Sequence, residues 1–262
     1  LWGVNSVSVW YDMHHFKGYA DPEAAAFRDR LKRILQAARR CGIGVGLMVI
    51  GNEAYDGSPN ELRADPSAQR GGFYDVAVCP NKPGGLDYTL KILGELFDWA
   101  GDLAPEYVCI WPYDQGGCGC DRCRPWGANG FLKCAENISH LAHQKLPGVK
   151  IIVSTWMFDA NEWQGLKKAF TPRPQWADVI LTESTEFARE GVAGLPTVGF
   201  PEISMGGMFP WGGFGASPQP QHFQAAWNAV KDHEAGGYPY SEGIFEDINK
   251  VIWAQFYWSG AT

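Results

Sequence analysis

With 262 residues and a mass of 28.9 kDa, the chain is long enough for one large domain, and α/β barrels routinely fill this range as a single unit. A formal charge of −7, from 22 basic and 29 acidic residues, and the lack of a long Lys/Arg run exclude a protein that tracks a phosphate backbone, so nucleic acid is not an expected partner. The longest apolar stretch, residues 42–50, is about half of the roughly 20 residues a bilayer span needs, so no membrane partner is expected either. Aromatic residues make up 14% of the chain and glycine fills 32 positions, an excess that points to rings lining a site and held on glycine-rich loops.

Apolar, β-branched runs bounded by turn residues predict seven strands, at 4–10, 44–50, 107–113, 149–156, 179–182, 197–200 and 237–240. Helical stripes lie between most of them. Phe27, Leu31, Ile34, Leu35 and Ala38 follow an Asp21-Pro22-Glu23 start, and Cys41-Gly42 stops that helix. Leu86, Leu90, Leu93 and Phe97 form a second stripe, and Phe131, Cys134, Ile138 and Leu141 a third. Phe223, Trp227 and Val230 form a fourth, Ile248, Val251, Ile252 and Phe256 a fifth, and a weak helix surrounds Phe187.

Short, apolar strands alternating with helices belong to a parallel sheet buried on both faces. Seven units fit a (β/α)8 TIM barrel, read as a fragment whose first strand lies upstream of Leu1, with residues 1–262 as a single catalytic domain of a longer chain. The alternative, an open doubly wound sheet, would carry a Gly-rich phosphate turn after its first strand, where this chain has Tyr11-Asp12-Met13-His14-His15. Neither end shows a charged n-region, apolar core and small-residue cleavage site, so no targeting is read from the residues.

A barrel builds its active site from the loops at the carboxyl ends of its strands. Those ends offer Trp10, Asp12 and His14; Glu53; Trp111, Tyr113 and Asp114; Trp156; Glu183; Glu202; and Tyr240 with Glu242. Carboxylates beside flat rings suit a sugar, because acids cleave the glycosidic bond and bind hydroxyls while rings pack on pyranose C–H faces. Some of these acids instead cap the following helix; Asp159, Glu246 and Asp247 are read that way. Counting a missing first strand, Asp114 and Glu202 fall after strands four and seven, where retaining barrel glycosidases hold acid/base and nucleophile, and Glu183 and Glu242 are rivals for those roles. Trp10, Asp12, His14, Glu53, Tyr113, Trp156, Trp211 and Tyr240 are candidate substrate contacts, with some of the tryptophans expected to be core. Residues 205–214, rich in glycine and rings, read as a subsite wall, a lid or a packing face for a neighbouring domain. Tandem His14-His15 sends its side chains to different faces, so at most one reaches the site. The acidic balance favours a neutral or cationic sugar.

Seven cysteines stand at 41, 79, 109, 118, 120, 123 and 134. Cys41, Cys109 and Cys134 read as small core residues. Cys118, Cys120 and Cys123 pack three thiols into six residues, and Cys79 lies on the loop after the preceding strand. Adjacent strands bring the two loops together, so these four are expected to form a closed tetrahedral Zn2+ site, structural and not catalytic, with disulfides as the alternative. No organic cofactor is expected. The sequon Asn137-Ile138-Ser139 falls inside a predicted helix and is discounted as a glycosylation site.

The stretch Trp111 to Cys123, with Val78-Cys79-Pro80 upstream and Tyr240 to Lys250 downstream, resembles uncharacterised (β/α)8-barrel domains of bacterial glycoside hydrolases, distantly similar to the hexosaminidase and α-glucuronidase groups. The resemblance implies a catalytic barrel acting on polysaccharides or glycoconjugates, often flanked by β-rich domains of the same chain, and a secreted or periplasmic location. Hexosaminidases of this kind carry Asp-Glu after strand four, the Glu being the general acid. Here the pair is Asp114-Gln115, and an amide donates no proton as an acid does, so N-acetylhexosamine specificity is not carried over. The expected function is a glycoside hydrolase. The alternatives are a barrel that binds carbohydrate without cleaving it and a metal-dependent hydrolase of the amidohydrolase kind.

Overall fold

The structure is a computed structural model that describes residues 3–66, 76–114, 116–204, 217–241 and 246–259. The chain divides into two compact units, residues 5–178 and residues 1–4 with 179–262.

The larger unit is a run of βα repeats. Strands β1 (Ser6–Trp10), β2 (Gly44–Ile50), β3 (Tyr107–Trp111) and β4 (Lys150–Ser154) are interleaved with helices α1 (Pro22–Arg40), α2 (Gly85–Ala100) and α3 (Gly130–Lys145). Helix α4 (Ala160–Ala169), beyond those read from sequence, follows β4. The strands pair in parallel and in chain order, with Ser6 opposite Gly44, Gly46 opposite Tyr107 and Tyr107 opposite Lys150. An unbroken order 1-2-3-4 is the winding of a barrel; a doubly wound sheet reverses direction at a switch point.

Helix α1 starts and stops on local chemistry. Asp21 caps α1 by accepting the Glu23 N–H at 2.9 Å, and Pro22 occupies the first turn, where its missing N–H costs nothing. The buried face of α1 is Ala24, Arg28, Leu31 and Leu35, so the stripe is rotated from the sequence reading and Ile34 is 55% exposed. Cys41, read as core, is exposed because it lies one residue past the helix in its terminal turn. Cys109, Cys134, Phe131 and Ile138 are fully buried, as the periodicity predicts. Burial of a side chain the size of Phe131 is worth about 1.5–3 kcal/mol. Asp159 caps α4 in a reciprocal box with Glu162, confirming its structural role. Asn137 lies within α3 and bonds the Lys133 carbonyl.

In the smaller unit, β5 (Val179–Thr182) and β6 (Thr197–Gly199) pair in parallel around the short helix α5 (Thr185–Glu190), which Ser184 caps. Strand β7 (Glu202–Ser204), not foreseen from sequence, pairs with β8 (Tyr240–Ser241), Glu202 lying opposite Tyr240. The expected strand at 237–240 is thus displaced toward its end, and Gly237 keeps only a bridge to Gly199. Helices α6 (Pro220–Val230) and α7 (Asp247–Ser259) cover Ile203 with Phe223, Trp227, Trp253 and Phe256. No helix among the described residues is long and apolar enough to cross a membrane.

Candidate functional site

In the larger unit three successive parallel strands end on a carboxylate: Asp12 after β1, Glu53 after β2 and Asp114 after β3. Asp12, His14 and Glu53 bring oxygen and nitrogen atoms within 4.8 Å of one another. His14 Nδ1 lies 2.5 Å from Glu53 Oε1, and the His14 backbone N–H donates to the same oxygen at 3.1 Å. Burial holds the Glu53 carboxyl above its ordinary range, the nearby Asp12 charge pushes it the same way, and the His14 hydrogen bonds oppose both. His14 is buried and His15 exposed, but the tandem pair does not send its rings to different faces: in the tight turn that holds them their centroids lie 4.0 Å apart.

Rings flank these acids. Trp10, partly buried, meets Trp111 edge to face at 5.3 Å, and Trp111 lies 5.6 Å from Trp156. Trp111 and Trp156 are buried, so the half-open ring of Trp10 is the more accessible surface for a sugar. The backbone after β3 is anchored on both sides of Asp114. Trp126 Nε1 donates to the Pro112 carbonyl at 2.6 Å, the Tyr113 hydroxyl donates to Glu162, and Asn52 holds Gly117. Between these anchors Asp114 is exposed, with a left-handed backbone (φ 71°) that Asp adopts more readily than most residues. Tyr113 itself is buried in its bond to Glu162, a positioning contact.

The smaller unit carries Glu183, Glu202 and Tyr240. Glu183 follows β5 and is exposed; Glu202 opens β7 and is exposed; the Tyr240 ring stacks on Phe200 at 5.0 Å. Glu183, Glu202, His222 and Phe200 line a cavity of 280 Å³ that Glu234 and Trp253 also line. Glu242 and Trp211, and the wall or lid read over residues 205–214, lie outside the described residues, as does Gln115. Glu246 is buried and its carboxylate accepts a hydrogen bond from Ser241, while its backbone carbonyl receives the Asn249 N–H; Asp247 lies in the first turn of α7.

Glu234 was not read from sequence, because a Glu in a polar turn after a helix gives no sign of burial. Its carboxylate accepts the Tyr257 hydroxyl at 2.9 Å and fills the space beside Gly199, where a Cβ would meet it at 2.2 Å. Burial pushes its pKa up to about 7, against the opposing Tyr257 bond. The folded state therefore holds this proton between roughly pH 4.5 and 7 while the unfolded chain has released it, so stability falls as pH rises through that window. Glu234→Gln does not titrate and is expected to gain about 1–2 kcal/mol on the wild type between pH 5 and pH 8, with allowance for partial solvent access. Urea unfolding at the two pH values checks this; a difference that does not change with pH contradicts it.

The sulfurs of Cys79, Cys118, Cys120 and Cys123 lie within 4.8 Å of one another, as the adjacency of β2 and β3 predicts, and all seven cysteines are free thiols. Cys79 Sγ is 3.8 Å from the sulfurs of both Cys120 and Cys123.

No family model and no curated protein sequence matches the chain. Among solved structures, α-L-fucosidase isoenzyme 2 from Paenibacillus thiaminolyticus matches 98% of the chain with a TM-score of 0.58 at 14% identity. The pneumococcal StrH, in a structure concerned with N-glycan recognition and hydrolysis, matches 87% at 0.54 and 9% identity. A second StrH structure, of its tandem GH20 catalytic modules, matches 87% at 0.52 and 9% identity. The chain spans 44%, 62% and 61% of these three structures' own lengths. Consecutive parallel βα units and these likenesses establish the fold as a partial (β/α)8 barrel.

Proposed function

We propose that this chain is the catalytic barrel of a glycoside hydrolase that cleaves a poly- or oligosaccharide with strand-end carboxylates. The observation that carries the reading is the succession Asp12, Glu53 and Asp114 at the carboxyl ends of three neighbouring strands, with Trp10, Trp111 and Tyr113 beside them. Glycosidic cleavage needs one carboxyl to protonate the leaving oxygen and another to attack the sugar or activate water. Asp114 stands exposed on a braced turn where a leaving-group oxygen can reach it, whereas Glu53 is buried in its bond with His14 and is suited to holding a hydroxyl.

Asp114 is assigned as acid/base and Glu202 as nucleophile, with Glu183 and Glu242 as the alternatives to be tested beside them. Glu53 and His14 are assigned to hydroxyl binding through their shared edge, and Trp10, Trp211 and Tyr240 to ring stacking, with the buried Trp156 packing behind Trp111. Turnover on a panel of neutral, cationic and anionic glycans, with and without a chelator that leaves the fold intact, tests the reading. Cleavage that persists in chelator supports it. Cleavage abolished by chelation with the fold intact indicates a metal-dependent hydrolase, and binding without turnover on any glycan indicates a carbohydrate-binding barrel.

A further inference from the structure

We propose that Cys79, Cys118, Cys120 and Cys123 bind one Zn2+ in a closed structural site that clamps the loop after β2 to the loop after β3. A regular ZnS4 tetrahedron with bonds of about 2.3 Å has sulfur–sulfur edges of about 3.8 Å, and two of the three edges at Cys79, to Cys120 and Cys123, have that length. A disulfide would need about 2.05 Å. Mutual approach of all four sulfurs within 4.8 Å, with three of the four residues buried, is an arrangement that thiols have little reason to adopt without a shared ion.

Hydrogen-bond donors surround the sulfurs. The backbone N–H of Asn81 donates to Cys79 sulfur and that of Cys120 to Cys118 sulfur, each two residues beyond the cysteine it serves. Asn81 Nδ2 donates to Cys123 Sγ at 3.2 Å and to the Arg122 carbonyl at 3.1 Å, so one side chain ties both loops at the cluster. Such outer contacts orient ligands and are part of metal sites. Lys133 Nζ reaches the Pro80 carbonyl at 3.0 Å and Asn81 Oδ1 at 2.8 Å, which places a cation beside a site that four thiolates and one divalent ion leave with two negative charges. Four sulfur donors complete a tetrahedron and exclude substrate or water from the metal, and soft thiolates select zinc over oxygen-loving cations.

The clamp acts on the candidate site through Asn52. Its side chain bonds Val78, the neighbour of Cys79, and Gly117, the neighbour of Cys118, while the next residue is Glu53. Gly119 N–H further bonds the Asp65 carbonyl at 2.8 Å.

The test is metal analysis and thiol titration of the full chain. About one zinc per chain is expected to copurify, with the four clustered thiols unreactive until a strong chelator is added and the melting temperature falling by roughly 10 °C or more on its addition. Cobalt substitution should give the absorption of a tetrahedral thiolate site. Cys120→Ser, at the partly exposed ligand, should weaken zinc binding by at least about 100-fold, Cys120→His should restore much of it by keeping a zinc-competent donor, and Cys41→Ser should change nothing. Zinc-free protein with four freely reacting thiols, a disulfide through Cys79 in peptide mass analysis, or iron in place of zinc would overturn the proposal.

Discussion

Asn52→Ala is expected to destabilise the larger unit by about 3–5 kcal/mol, more than most single truncations of this size. Asn52 is fully buried, and its amide donates to the Val78 carbonyl at 2.8 Å and the Gly117 carbonyl at 2.9 Å while its oxygen accepts the Gly117 N–H at 2.8 Å. Alanine removes all three bonds and leaves two carbonyls and an N–H buried in the loops between β2 and β3. Each such group costs about 1–3 kcal/mol when water cannot reach it, and the costs are not fully additive. Asn52→Asp keeps the shape but puts a carboxylate against two carbonyl oxygens, so it is expected to be no better than alanine. Chemical unfolding of the variants checks this. A loss under 1 kcal/mol for Asn52→Ala would show that the clasp is replaced by solvent and that Glu53 is placed by other means.

Asp114→Asn is expected to lower kcat/KM by about 10²–10⁴, the range for removal of a general acid or base. Asparagine is the informative substitution because it tolerates the left-handed backbone that Asp114 adopts at φ 71°. The braces on either side, Trp126 to Pro112 and Tyr113 to Glu162 before it and Asn52 to Gly117 after it, do not involve the Asp114 side chain, so the turn should persist. Asp114→Val would confound loss of charge with backbone strain of about 1–2 kcal/mol. Steady-state kinetics with a melting curve separates the two effects: a large fall in kcat with an unchanged melting temperature places Asp114 in the chemistry, and a proportional fall in both places it in the scaffold.

The βα alternation was legible because buried parallel strands need continuous apolar runs, and residues 44–50 and 107–111 supply them with turn residues at each end. The meeting of Cys79 with Cys118, Cys120 and Cys123 followed from the same reading, since neighbouring parallel strands bring their following loops side by side. The capping role of Asp159 was legible from its place ahead of Glu162, three residues on. What escaped was set by tertiary contact. Asn52 sits at no informative spacing and owes its role to two distant carbonyls. Glu234 looks like a surface acid until Tyr257 and Gly199 enclose it. Strand β7 is three residues long and pairs only two or three residues with β8, too short for alternation to register. The register of α1 was misjudged by a fraction of a turn because Ile34 is apolar yet exposed, which single apolar residues often are.

Release of reducing sugar from a glycan panel by wild type and by the single variants Asp114→Asn, Glu202→Gln, Glu183→Gln and Glu242→Gln reads whether strand-end carboxylates cleave a glycosidic bond. Turnover of at least one neutral or cationic glycan is expected, lowered by roughly 10²-fold or more in Asp114→Asn and Glu202→Gln with glycan affinity and melting temperature retained. Full activity in both of those variants, on a glycan that the wild type cleaves, would contradict it.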